Sequence, residues 1–133
     1  RRNHAEDFLP LGGGSGGMEA ARVLKLRGHN PIIHEKSDVL GGTFIPASAE
    51  SYKGKLRDLL DWYRRQMTKL GIEVRLNDEI KDIAAFGSDP VIIATGSTPR
   101  LLRRVPGYEK MIGAATTSTA QKSATPSLLS AAD

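Results

Sequence analysis

Five of the six residues from Gly12 to Gly17 are glycine, and what flanks them leaves few folds open. Before them runs the apolar stretch Phe8 to Leu11. Directly after them Met18, Ala20, Ala21, Val23, Leu24 and Leu26 fit one face of a helix. A flexible linker does not end in a helix start, so the sequence predicts a tight turn from a strand into a helix, with backbone brought close to another group. The spacing Gly12-x-Gly14-x-x-Gly17 is the dinucleotide-binding fingerprint in its required strand–turn–helix setting. Gly12 permits the turn, Gly14 lets a pyrophosphate approach the backbone, and Gly17 lets the helix pack on the sheet. The free N–H groups and partial charge of about +0.5 at the helix start favour phosphate. Gly13 and Gly16 read as extras to this pattern.

The remaining chain alternates in the same manner. Gly28 marks the end of the first helix, which runs from Gly14 to Arg27. Ile32 to His34 reads as a second strand ending in Glu35, about 20 residues beyond the glycines. A carboxylate there accepts hydrogen bonds from both ribose hydroxyls of an adenosine and repels a 2′-phosphate, which argues against NADP. The competing reading is a solvated acid at a strand end. Leu40-Gly41-Gly42 is a second glycine turn, and Thr43 to Tyr52 reads as loop. Leu56, Leu59, Leu60, Tyr63, Met67 and Leu70 recur at helical spacing up to Gly71. Ile72, Val74 and Leu76 alternate with polar residues as in a strand. Ile80 to Phe86 predicts a short helical crossover, and Val91 to Ala94 a strand buried on both faces. Pro10 weakens the first strand as an assignment, because it has no N–H to donate. The order predicts an α/β fold, a Rossmann-like parallel sheet with helices on both faces. It would be a partial dinucleotide-binding domain over residues 1–113, followed by a poorly specified Ala/Ser/Thr-rich tail over 114–133 with one weak helical turn at Leu128-Leu129.

Composition narrows the function classes. The chain has no cysteine, which excludes disulfides, thiolate metal sites and thiol redox chemistry. His4 and His29 read as surface residues and His34 as a packed strand residue, so no metal site and no catalytic residue is expected. The net charge is +4, but Arg1-Arg2, Arg64-Arg65 and Arg100 with Arg103-Arg104 are small clusters without interleaved aromatics. Nucleic acid is therefore not the expected partner. No apolar run approaches the roughly 20 residues that span a bilayer, and no export signal opens the chain, so a cytoplasmic protein without membrane contact is expected.

Four stretches in order, "GGGSGGMEAARVLKLRGH", "HEKSDVLGGTFIPAS", "LRDLLDWYRRQMTKLGIEVRLN" and "VIIATGSTPR", resemble the flavin-dependent 2-enoate reductase, 2,4-dienoyl-CoA reductase and trimethylamine dehydrogenase family of NADH:flavin oxidoreductases. The resemblance runs from about Gly12 to Tyr108 and implies the FAD (or ADP) binding domain of those enzymes. It implies that Gly12, Gly14, Ser15 and Gly17 line the pyrophosphate, and that Glu35 holds the adenosine ribose with Lys36 beside it. Gly41, Gly42 and Thr43 would lie near the flavin-side half, Ile80 would meet adenine through its backbone, and Ala94, Thr95 and Gly96 would pass close to the cofactor. FMN and NAD(P)H would belong to a barrel and a second nucleotide domain of the parent enzyme, the expected partners of this one. The chain alone would then be inactive, an electron-relay module for reduction of an enoate or dienoyl substrate. A non-catalytic ADP-binding module and a stand-alone NAD-binding domain are the alternatives. Asp7 and Pro10 stand where the family carries valine and isoleucine, and Ser15 and Gly16 stand where proline and alanine are frequent.

Overall fold

The computed structural model describes residues 5–100 and 104–110. The expected tail over 114–133 with its turn at Leu128-Leu129, together with His4, Arg1, Arg2 and Arg103, lies outside the described residues. Four strands, β1 (Asp7–Leu11), β2 (Asn30–His34), β3 (Glu73–Arg75) and β4 (Val91–Ile93), form one sheet. All pairings are parallel and the order is β3-β2-β1-β4. The chain steps outward from β1 to β3, then returns across the sheet to the other side of β1. Such a reversal opens a crevice at the carboxyl ends of the strands, where open α/β sheets bind ligands.

Helices α1 (Ser15–Leu26) and α3 (Gly54–Lys69) pack on one face and on each other. Their periodic apolar residues close a core of Met18, Ala21, Leu60 and Met67 around Ile33 and Ile72. Gly28 (φ +87°) and Gly71 (φ +64°) follow the two helix ends in the left-handed region that favours glycine. Neighbouring residues of a strand point to opposite faces. Ile33 enters the helical core, and His34 meets the Phe86 ring (centroids 5.3 Å apart) in the β3–β4 connection. Among the described residues, the 3-10 turn Ile83–Phe86 lies against that second face at His34. No helix among the described residues is long and apolar enough to cross a membrane.

Several expectations need correction. Pro10 lies inside a central strand and is fully buried. Leu9 donates to the Pro90 carbonyl and Leu11 accepts from the Ala94 N–H, both on the β4 side. Position 10 therefore turns its missing N–H toward β2, where the register has a gap between Phe8 and Leu11. One ladder bond is absent, and the strand persists. The stretch read as loop holds a short helix α2 (Phe44–Ala47) and a 3-10 turn (Ser51–Lys53), too brief to show a period. The expected helical crossover from Ile80 is helical only over Ile83–Phe86. β4 is not buried on both faces. It is an edge strand of the described sheet, paired with β1 alone, and Ile93 is 67% exposed.

Candidate functional site

The glycine turn sits at the carboxyl end of β1, and its geometry assigns each glycine a separate duty. Gly12 has φ +108°, and a methyl there would overlap the carbonyl of Ala94, the residue after β4. A methyl on Gly17 would overlap the Gly12 carbonyl, so this residue lets α1 start against the turn. Gly13, read from the sequence as an extra, is buried, and a methyl on it would collide with Leu40 and crowd the Glu35 carboxylate. Gly14 differs from all three. Its backbone is extended (φ −74°, ψ −174°), and a methyl there would meet nothing within 4 Å. The protein itself does not require glycine at position 14; the space beside it is open.

Glu35 follows β2 and is 7% exposed. Oε2 accepts the Gly13 N–H at 2.5 Å, and Oε1 accepts the N–H and hydroxyl of Ser37, each at 2.8 Å. Burial pushes the Glu35 carboxyl up, but the donors of Ser37 and Gly13, with the charge of Lys36, outweigh it and hold the group below its ordinary value. The solvated strand-end acid is therefore set aside: Glu35 is a buried carboxylate tying two turns together. The second glycine turn joins the same unit. Gly41 (φ +139°) donates its N–H to the Gly13 carbonyl at 2.9 Å, and Gly42 (φ +51°) lies against Gly14.

These turns border one cleft of about 360 Å³ at the carboxyl ends of the strands, within the roughly 300–1,000 Å³ of small-molecule sites. Ten of the thirteen residues singled out from the sequence line it: Gly12, Gly14, Glu35, Lys36, Gly42, Thr43, Ile80, Ala94, Thr95 and Gly96. Ser15, Gly17 and Gly41 do not; Gly17 is buried under the Gly12 carbonyl, Gly41 lies against Ile45 and Leu60, and Ser15 opens the helix. Among the described residues no acceptor takes the N–H groups of Gly14, Ser15, Gly16 or Gly17, as expected of a helix start.

The sequence reading missed His34 and Asp78, which also line the cleft. His34 is 4% exposed, its Nδ1 lies 2.8 Å from an Asp78 carboxylate oxygen, and its Nε2 is buried without a partner. A histidine in a strand one residue before a turn gives no sequence signal of a partner 44 positions on.

No family model matches this chain. It is 42% identical over 108 residues to a cinnamate reductase of Clostridium sporogenes, covering 80% of this chain and 16% of that protein. It is 41% identical over 102 residues to an NADH oxidase of Thermoanaerobacter brockii, covering 75% and 16%. A solved 2-naphthoyl-CoA reductase superposes with a TM-score of 0.66 at 35% identity, covering 74% of this chain and 16% of that one. The chain thus spans about a sixth of the length of the relatives it matches. Over this shared segment, the chain belongs to the family of 2-enoate reductases and trimethylamine dehydrogenases.

Proposed function

We propose that the cleft holds the ADP moiety of FAD and that the chain is the FAD-binding module of a larger flavin oxidoreductase acting on an enoate or dienoyl compound. One observation carries this reading. Gly14 has no neighbour that forbids a side chain, yet it faces the cleft at the start of α1 among free N–H groups. A pyrophosphate there would take up the space and the donors together. Gly12 and Gly14 would line its cradle, Ser15 would offer a free N–H from the helix start, and Gly17 would act behind it by letting α1 start against the turn. Glu35 retains acceptor capacity on Oε2 for a ribose hydroxyl, and its negative charge disfavours a 2′-phosphate. Lys36, Ile80, Thr43, Gly42, Ala94, Thr95 and Gly96 would border the rest of the nucleotide, with Gly41 holding the second turn from outside the cleft.

When bound, FAD would supply electron relay between NAD(P)H and an acceptor held elsewhere in the parent enzyme. The described residues would bind, orient and shield the nucleotide. The test is mass spectrometry of the small molecule released when the natively purified protein is denatured, paired with calorimetric titration of ADP. FAD or ADP released, and ADP bound, support the reading; neither released nor bound overturns it. A second reading takes ADP as a structural ligand held by the same cleft residues. Flavin absorption in the purified protein separates the two.

A further inference from the structure

Arg64 lies on α3 and does not line the cleft, yet its guanidinium is the terminus of a hydrogen-bond series that ends inside it. Nε and one terminal nitrogen both donate to the Leu40 carbonyl, at 3.0 and 2.6 Å. A peptide unit is planar, so the Leu40 carbonyl and the Gly41 N–H move as one body. That N–H donates to the Gly13 carbonyl, which shares a second plane with the Gly14 N–H. Two peptide planes in series thus connect Arg64 to the free donor at the mouth of the cleft. The Gly12–Gly13 peptide is held separately, by Glu35.

The series matters because of what it restrains. Gly41 and Gly42 both sit at positive φ, and glycines have many other conformations within reach. Leu40 is only half-buried, so water can satisfy its carbonyl if the guanidinium is removed. The loss of Arg64 therefore frees the plane to rotate without leaving a buried group unpaired. A charge-assisted double donation is among the stronger restraints available to a loop.

We propose that Arg64 is a positioning residue for nucleotide binding, which sets the direction of the Gly14 N–H and the placement of Gly42 and Thr43 by clamping the Leu40–Gly41 peptide from α3. This rests on the reading of the cleft as a nucleotide site. The experiment compares the full 133-residue chain with Arg64→Met, Arg64→Lys and Arg65→Met, the last removing the same charge from an exposed neighbour. Amide ¹H–¹⁵N spectra and ADP titrations are recorded at one fixed ionic strength. Arg64→Met is expected to displace the Gly14, Gly41 and Gly42 resonances while those of α1 and β2 hold, and to weaken ADP by roughly tenfold. Arg64→Lys, which keeps the charge and one donor nitrogen in place of two, recovers part of both effects, and Arg65→Met changes neither. Unmoved Gly14 and Gly41 resonances in Arg64→Met overturn the proposal, as does an equal loss of ADP affinity in Arg65→Met. Should Arg64→Met not fold, the same resonances in Arg64→Lys decide: displaced supports, unmoved overturns. If the wild-type chain binds no ADP, the nucleotide reading falls, while the resonances still decide whether Arg64 sets the turn.

Discussion

Gly14 and Gly17 are three residues apart and are glycines for different reasons. At Gly17 the obstacle is backbone, the Gly12 carbonyl, which cannot swing aside as a side chain can. Gly17→Ala is expected to destabilise the protein by about 3 kcal/mol, the upper range for overpacking. At Gly14 the obstacle would be the ligand. Gly14→Val should cost less than about 1 kcal/mol of stability, the scale of a changed helix cap, and should abolish ADP binding. Thermal melts and calorimetry on both variants check this; a Gly14→Val protein that binds ADP normally would falsify the pyrophosphate reading. Glu35 gives a pH prediction at the same scale. Its carboxyl is held below the ordinary value in the folded protein. The contribution is therefore fully present above the unfolded pKa of about 4.3 and is lost as pH falls through the lower, folded value. Glu35→Gln, which cannot accept the Gly13 N–H on its amide nitrogen, should cost roughly 1.5–3 kcal/mol near neutral pH. That gap should narrow below about pH 4 in denaturant titrations; a gap constant down to acid pH would mean that the charge contributes nothing.

At the scale of elements, α3 shows what a periodic pattern can and cannot say. Leu59 and Leu60 both belong to its apolar repeat, but Leu60 is 5% exposed in the core and Leu59 is 39% exposed. Leu60→Ala is expected to cost about 2–5 kcal/mol, and Leu59→Ala within about 0.5 kcal/mol of nothing. Denaturant midpoints of the two variants test this, and equal costs would place the core elsewhere. The helix itself was legible because its spacing is written in local sequence, as were α1 and the fingerprint that precedes it. The position of Glu35 beside the glycine turn was legible because β2 and its turn have a nearly fixed length. What stayed hidden depends on contacts across long separations. The duty of Gly13 is set by Glu35 and Leu40, that of Arg64 by a carbonyl 24 residues earlier, and that of His34 by Asp78. The apolar run of β4 reads like a central strand, yet pairing on only one side leaves Ile93 exposed. Local sequence does not record how many neighbours a strand has.

At the scale of the whole molecule, the question is how much of an oxidoreductase these residues can perform. The described residues hold one glycine-lined cleft of about 360 Å³ at one topological reversal. Hydride transfer demands a donor carbon and an acceptor held about 3–3.5 Å apart, and much of the rate comes from that alignment. One cradle can hold one dinucleotide; it cannot also hold a nicotinamide against a flavin ring. The relatives carry about five-sixths of their length outside the shared segment. The exposed edge at Ile93 lies beside the cleft wall formed by Ala94 to Ser97, where further chain could pack. The 133-residue chain is therefore expected to bind ADP yet to show no sustained NADH or NADPH oxidation when given FAD and an enoate or dienoyl acceptor. The measurement is the loss of nicotinamide absorbance, with free FAD at the same concentration as the reference. A rate equal to that reference, together with ADP binding, is the outcome for a binding module. Turnover well above free flavin would show that a second nucleotide is held where no second cradle is described, and that the chain catalyses on its own.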